Sequence, residues 1–188
     1  MRIITGSARG ASLLTLEGEQ TRPTSARAKE AIFSILQFSI SGRRVLDLFA
    51  GSGQMGLEAL SRGAESAVFI DKSPKAVEVI RKNAEKTRLS DKCRIECGDF
   101  SEKLARLSGE KFDIVFLDPP YALGAIPKAL SALLRGGNLN VDSYVVCEAG
   151  SAEDFFGGDA ALEAAFDVVR QAKYGVAHVI ILRPKEIE

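Results

Sequence analysis

Residues 112–121 read Phe-Asp-Ile-Val-Phe-Leu-Asp-Pro-Pro-Tyr. Ile114, Val115, Phe116 and Leu117 form a continuous apolar run rather than an alternating one, the pattern of a parallel strand covered on both faces. Pro119 and Pro120 then stop it. Neither carries an N–H for a ladder, and both fix φ at about −65°. The product is a stiff elbow at a strand's carboxyl end, bearing a carboxylate (Asp118), a carbonyl (Pro119) and a ring (Tyr121). In open α/β sheets, ligands bind along that edge.

Such an elbow suits methylation of an exocyclic amine. The lone pair of a base –NH2 group is delocalised into its ring, so the amine is a poor nucleophile as it stands. The Asp118 carboxylate and the Pro119 carbonyl can accept its two N–H bonds and aim the lone pair at an electrophilic methyl group. Tyr121 can stack on the base. Orientation and hydrogen bonding then supply the rate without a strong base. The plainer reading is a loop that opens on an Asp turn, and the rest of the chain decides between the two.

The sequence around this elbow alternates strands with helices. Val45–Phe49 reads as the first central strand, Ala67–Asp71 as the second and Cys93–Cys97 as the third. Helices are expected at Leu57–Arg62, from Pro74 onward, and near Ile126–Leu134, where Gly136-Gly137 ends the last of them. Ser143–Cys147 reads as a further strand, and Glu153–Phe156 as a short helical piece. Phe166–Gln171 and Val176–Leu182 are joined by too few residues for a parallel crossover, so that pair is expected to be antiparallel. Upstream, residues 2–5 and 12–16 flank a Gly-bounded turn and predict a small hairpin. Thr24 or Ser25 then caps a helix over Ala26–Phe38. The sum is a doubly wound α/β sheet with its last strand reversed, preceded by a β-hairpin extension.

The chain has 188 residues, 46% hydrophobic and 27% charged, which are values of one globular domain with a real core. Net charge is formally zero with a pI of about 6.6, so nothing draws the whole molecule to nucleic acid. Residues 1–44 nevertheless hold seven Lys/Arg against three acids, a net of +4 that leaves −4 for the remainder. A basic N-terminal face on an acidic body is expected. Arg22 and Arg27 flank the start of the first helix, where cations oppose the helix dipole and so suit an anionic partner. A solvated basic surface is the plainer account.

Cys93, Cys97 and Cys147 are an odd number, which argues against a disulfide framework and fits a reducing cytoplasm. Cys93-x3-Cys97 has no second Cys/His pair beside it, so no metal is expected. Without a signal-peptide core or an apolar run of about 18 residues, a soluble, cytoplasmic, membrane-independent and monomeric protein is expected. His178 and Tyr174 read as packing residues.

Gly51-Ser-Gly53-Gln-Met-Gly56 matches G-x-G-x-x-G after a strand, and Asp71 lies 20 residues beyond Gly51. That pattern fits a dinucleotide-dependent oxidoreductase. Asp47 argues otherwise, because a carboxylate facing the loop repels a pyrophosphate but suits the positive charge of S-adenosylmethionine (SAM). Asp71 is placed for ribose hydroxyls, and Asp99 with Phe100 for an adenine edge and face. Taken singly, Asp47 is a turn former, Asp71 a loop acid and Asp99 a helix cap. Their joint placement at the ends of successive strands, together with Asp118-Pro119-Pro120-Tyr121, favours SAM.

Nearly end to end, the chain resembles the class I SAM-dependent methyltransferases, and specifically the RsmD family of 16S ribosomal RNA guanine-N2 methyltransferases. The resemblance is carried by Arg2-Ile3-Ile4-x-Gly6, Thr21-Arg22-Pro23-Thr24-x-x-Arg27, Val45–Gly53 with Gly56–Ala59, Asp118–Tyr121 and Tyr174-Gly175. It implies a Rossmann-like seven-stranded sheet and methyl transfer from SAM to N2 of one guanine in small-subunit rRNA, within the subunit or an assembly intermediate. It further implies a division into an rRNA-contacting extension (1–40) and a SAM-binding catalytic domain (41–188). On this reading Asp118, Pro119, Pro120 and Tyr121 are catalytic, and Asp47, Gly51, Gly53, Asp71, Asp99 and Phe100 bind the cofactor. Arg2, Arg9, Arg22, Thr24 and Arg27 then meet RNA. The same motif also suits N6-adenine or protein-glutamine methylation, and a non-catalytic rRNA-binding assembly factor is the rival of a different class.

Overall fold

A computed structural model describes residues 1–16, 26–120 and 124–185. Its strands are β1 (Arg44–Asp47), β2 (Ser66–Asp71), β3 (Cys93–Cys97), β4 (Phe112–Leu117), β5 (Leu139–Ala149), β6 (Phe166–Tyr174) and β7 (Ala177–Pro184). They form one sheet in the order β3-β2-β1-β4-β5-β7-β6. β7 runs antiparallel to both neighbours and every other pairing is parallel. The reversed strand is the one expected from the short junction. All six residues of β4 are buried, as its place in mid-sheet requires.

Helices α1 (Ala26–Leu36), α2 (Gln54–Ser61) and α3 (Pro74–Thr87) cover one face of the sheet, and α4 (Phe100–Arg106), α5 (Ala125–Arg135) and α6 (Ala160–Ala164) the other. Alternation along each strand divides the core accordingly. Val45, Ile114, Phe116 and Val146 face α1–α3, while Leu46, Val115, Leu117 and Cys147 face α4–α6. α3 starts as its sequence predicts, with Pro74 in the first turn and the Ser73 hydroxyl accepting the Ala76 N–H. Among the described residues no helix is long and apolar enough to cross a membrane.

β5 and α6 differ most from expectation, and β1 ends at Asp47 rather than Phe49. β5 begins at Leu139, not Ser143, because its ladder to β4 opens with Leu139 opposite Phe112 and is then interrupted before Ile114 meets Tyr144. The irregularity lets polar Asn140 and Asp142 sit in a strand. Asn140 donates to Asp113, which also takes the Arg44 N–H and the Arg43 guanidinium, and Asp142 pairs with Arg183 at 3.5 Å. Burial alone would raise the Asp113 pKa, but these bonds hold its carboxyl below the usual range. α6 is short and was not expected; Asp159 caps it by accepting the Ala161 and Leu162 N–H groups.

The N-terminal hairpin is tighter and less regular than its two apolar runs suggest. A single antiparallel bridge joins Arg2 to Ser12, supported by Ile3 N–H to Ala11, Gly10 N–H to Ile3 and Leu13 N–H to Met1. Gly6, at φ +90°, presses on α2 so closely that a Cβ would lie 1.7 Å from the Ser61 carbonyl oxygen. Only glycine fits both the backbone and the contact. Ile3 and Leu13 are buried in the same cluster as Phe33 and Leu57.

Candidate active site

The sheet order reverses between β1 and β4, and there the strand ends open into a cleft of about 820 Å³. This is the crevice expected at a switch point, and its volume suits a cofactor-sized ligand. One wall carries Asp47, Phe49, Gly51, Asp71, Asp99 and Phe100; the other carries Asp118, Pro119, Pro120, Ala125, Lys128 and Glu148. The structure therefore brings nearly all the predicted cofactor and catalytic residues together. Tyr121 lies outside the described residues, as do Arg22 and Thr24.

The glycine loop is held by carboxylates from below. Asp71 Oδ2 accepts the Gly51 N–H at 2.8 Å and its Oδ1 the Ser73 N–H at 2.8 Å. A carboxylate oxygen can accept more than one bond, so Asp71 retains capacity for ligand hydroxyls. Asp47 is 4% exposed, and its Oδ2 accepts the Gly56 N–H in the first turn of α2 at 3.0 Å. Burial pushes its pKa up to about 7; the Gly56 bond opposes that rise and the nearby Asp71 charge adds to it.

The two glycines of the loop do different work. Gly51 (φ +53°) lines the cleft, and a Cβ there would meet nothing within 4 Å. Gly53 (φ +76°) instead faces the core, where a Cβ would lie 3.2 Å from Ile80 and 3.4 Å from Phe69. Gly53 thus shapes the start of α2 from behind the wall. Gly56 lets α2 lie on β2, because a Cβ there would come 2.3 Å from the Phe69 ring.

Asp99 is the cap of α4, accepting from the Ser101 hydroxyl at 2.6 Å and the Ser101 N–H at 2.9 Å. The Ser101 hydroxyl holds its carboxyl below the usual range. The helix-cap reading of Asp99 is therefore correct, and the residue also lines the cleft. Phe100 packs against Phe49 with ring centroids 5.1 Å apart and planes tilted by 53°. Phe49 was read only as a strand residue. Its place just past Asp47, beyond the last paired residue of β1, was the available signal.

On the opposite wall Pro119 is buried and Pro120 exposed, with Asp118 between these extremes. Glu148, 6% exposed, lines the same wall and was missed, because it follows the apolar run Val145–Cys147 and carries no local motif. His178 and Tyr174 do not line the cleft, and Tyr174 packs on the core.

A second groove of about 680 Å³ adjoins the first, sharing Met1 and Gln54. Arg2 and Arg9 are exposed and line it; Arg27 is exposed in the first turn of α1 but does not. The basic face is smaller than the charge count suggests. Arg43 pairs with Asp113 at 3.1 Å and Arg44 with Glu110 at 2.6 Å. Lys29, 3% exposed, pairs with fully buried Glu58 at 2.9 Å.

Glu58 is the anchor between hairpin and body. Its oxygens accept the Ile4 and Thr5 N–H groups and the Arg62 guanidinium as well as Lys29. Burial raises its pKa, but the Ile4 N–H and the Lys29 and Arg62 cations prevail and lower it. Asn83, also fully buried, is a second clasp: its amide donates to the Leu14 and Ser52 carbonyls and accepts the Leu14 N–H.

The family described as "Conserved hypothetical protein 95" matches residues 1–183. The chain belongs to this family, the RsmD family of methyltransferases. A Bacillus subtilis (strain 168) protein named "Putative rRNA methyltransferase YlbH" is 37% identical over 150 residues, covering 79% of this chain and 82% of that protein. The Haemophilus influenzae protein named "Ribosomal RNA small subunit methyltransferase D" is 33% identical over 150 residues, covering 79% and 78%. Among solved structures, the Escherichia coli protein described as "Putative methyltransferase yhhF" superposes with a TM-score of 0.84 at 28% identity, covering 98% of both chains. The Rossmann-like seven-stranded sheet is the fold of these methyltransferases.

Proposed function

We propose that this RsmD-family protein transfers a methyl group from SAM to the exocyclic N2 of one guanine in 16S rRNA, presented in the small subunit or an assembly intermediate. The observation that carries the reading is the shared cleft: an acidic, glycine-backed wall faces the Asp118-Pro119-Pro120 elbow across a single opening. The names of the relatives, as small-subunit rRNA methyltransferases, support the substrate class.

When bound, SAM supplies an electrophilic methyl group on a cationic sulfur. Ionised Asp47 favours that positive charge from beneath the loop, Gly51 gives close backbone approach, Asp71 takes ribose hydroxyls, and Phe49 with Phe100 flanks the adenine. Opposite, Asp118 and the Pro119 carbonyl each accept one N–H of the guanine amine, which points its lone pair across the cleft. Pro120 stiffens the elbow, and Tyr121 stacks the base once it has left its helix or loop, as bases must for chemistry on a ring substituent. Residues 1–40 form the rRNA-contacting extension of the catalytic body 41–188, with Arg2, Arg9, Arg22, Thr24 and Arg27 on phosphates.

The test is methyl transfer from radiolabelled SAM to naked 16S rRNA, unmethylated 30S subunits, genomic DNA and a release-factor protein, with nucleoside analysis of the product. N2-methylguanosine on the rRNA or 30S subunit is expected. Label in N6-methyladenine or in protein overturns the guanine assignment, and SAM binding without any transfer overturns the enzymatic reading.

A further inference from the structure

Glu148 is not accounted for by the roles above. It is the last residue but one of β5, 6% exposed, and lines the cleft beside Pro119 and Pro120. β4 and β5 are parallel and in register, with Phe116 opposite Val146 and Leu117 opposite Cys147. One step further puts Asp118 opposite Glu148 on strands about 4.8 Å apart. Phe116 and Val146 both face α1–α3, so alternation returns Asp118 and Glu148 to that same side. Both carboxylates line the same cleft beside the elbow.

We infer that Glu148 is the residue that selects guanine, accepting the N1–H of the base whose N2 is held by Asp118 and Pro119. The inference rests on the guanine-N2 reading proposed above. Guanine presents adjacent donors, N1–H and the N2 amine, along one edge. Satisfying them all takes an acceptor beyond the two that hold the amine, and a carboxylate is the strongest one available. Adenine presents its amine next to an N1 lone pair. A buried carboxylate facing that lone pair gives repulsion and no hydrogen bond, so the residue that welcomes guanine also rejects adenine.

The decisive substrate is 2-aminopurine, which keeps the exocyclic 2-amino group but carries an N1 lone pair in place of N1–H. Once the wild-type enzyme has marked a guanine in the 30S subunit, subunits reconstituted with 2-aminopurine at that position are compared with guanine by kcat/KM. Wild type is expected to prefer guanine by at least about a hundredfold, as a site built around a donor rejects its absence. Glu148→Gln should lose about tenfold to a hundredfold on guanine, one charge-assisted hydrogen bond. The same variant should gain on 2-aminopurine, because its amide can donate to N1, with SAM affinity unchanged. An unaltered guanine to 2-aminopurine ratio in the variant overturns the inference. 2-Aminopurine also lacks O6, so if that variant does not fold Glu148→Asp is assayed in its place: a guanine to 2-aminopurine ratio equal to wild type overturns the inference, and a lowered ratio upholds it. Absence of N2-methylguanosine with wild type overturns the underlying reading as well, so the two failures are distinct.

Discussion

Replacing Asp47 by Asn should stabilise the empty protein while weakening its hold on SAM, and both effects should depend on pH in a direction fixed by the structure. Burial lifts the Asp47 pKa from an ordinary 3.8 to about 7. Between those values the folded state binds a proton that the unfolded state has released, so stability falls as pH rises from about 4 to about 7. Above pH 7 the native protein holds a buried, ionised carboxylate at a cost of about 4 kcal/mol by linkage. Asn keeps an acceptor for the Gly56 N–H without the charge, but its NH2 must find a partner in the same place. A gain of about 2 kcal/mol at pH 8 is therefore expected, reversing to a loss of about 2 kcal/mol below about pH 4, where only the amide's cost remains. Urea unfolding of both proteins at pH 4.5 and pH 8 reads the difference directly. SAM titration supplies the opposite sign: wild-type affinity should rise as pH passes through about 7, and Asp47→Asn should be weaker and flat. A stability difference independent of pH, or an Asn variant that binds SAM as well as wild type at pH 8, would refute the argument.

Three further outcomes follow from the contacts described. Glu58→Ala strands buried Lys29 and the Ile4 and Thr5 donors, so it should cost about 3–5 kcal/mol, seen as a thermal midpoint lowered by roughly 10 °C. An unchanged midpoint would mean the hairpin does not depend on Glu58. Gly56→Ala drives a methyl into the Phe69 ring and should cost about 1–3 kcal/mol, with SAM affinity reduced because α2 is displaced; unchanged unfolding and affinity would show that the contact relaxes freely. Asp118→Ala should lower methyl transfer by at least about a hundredfold with SAM binding retained, and normal turnover in that variant would remove Asp118 from the chemistry.

Much of this molecule was readable from the chain because its signals were local. The unbroken apolar run of β4, the prolines that end it and the short junction before β7 each report a backbone constraint that acts over a few residues. The glycine loop was equally legible, although the separate duties of Gly51 and Gly53 were not, since Ile80 and Phe69 approach Gly53 from other elements. Distant partners hid the rest. Lys29, Arg43 and Arg44 counted as basic surface until Glu58, Asp113 and Glu110 took them. Glu58 itself looks like any helical glutamate, and its burial depends on a hairpin more than 50 residues upstream. Glu148 was masked by its apolar neighbours. β5 was cut short because Asn140 and Asp142 break the pattern that a regular ladder would have written.

The Asn83 clasp ties the N-terminal segment to the glycine loop through one side chain. One amide holds Leu14, on the strand of chain leading toward the Thr-Arg-Pro-Thr segment, and Ser52, inside the glycine loop. On the proposed rRNA and SAM reading, an RNA that orders Leu14 is predicted to favour the SAM-bound form of the Ser52 loop, and by linkage SAM is predicted to favour RNA binding by the same free energy. The two ligands should therefore bind as cooperative partners rather than as independent guests. Wild type should hold SAM more tightly in the presence of the 30S subunit, and Asn83→Ala should hold it equally with and without. Equal coupling in both proteins would place the communication elsewhere. On that prediction, a single uncharged side chain would favour the state in which methyl donor and acceptor are present together.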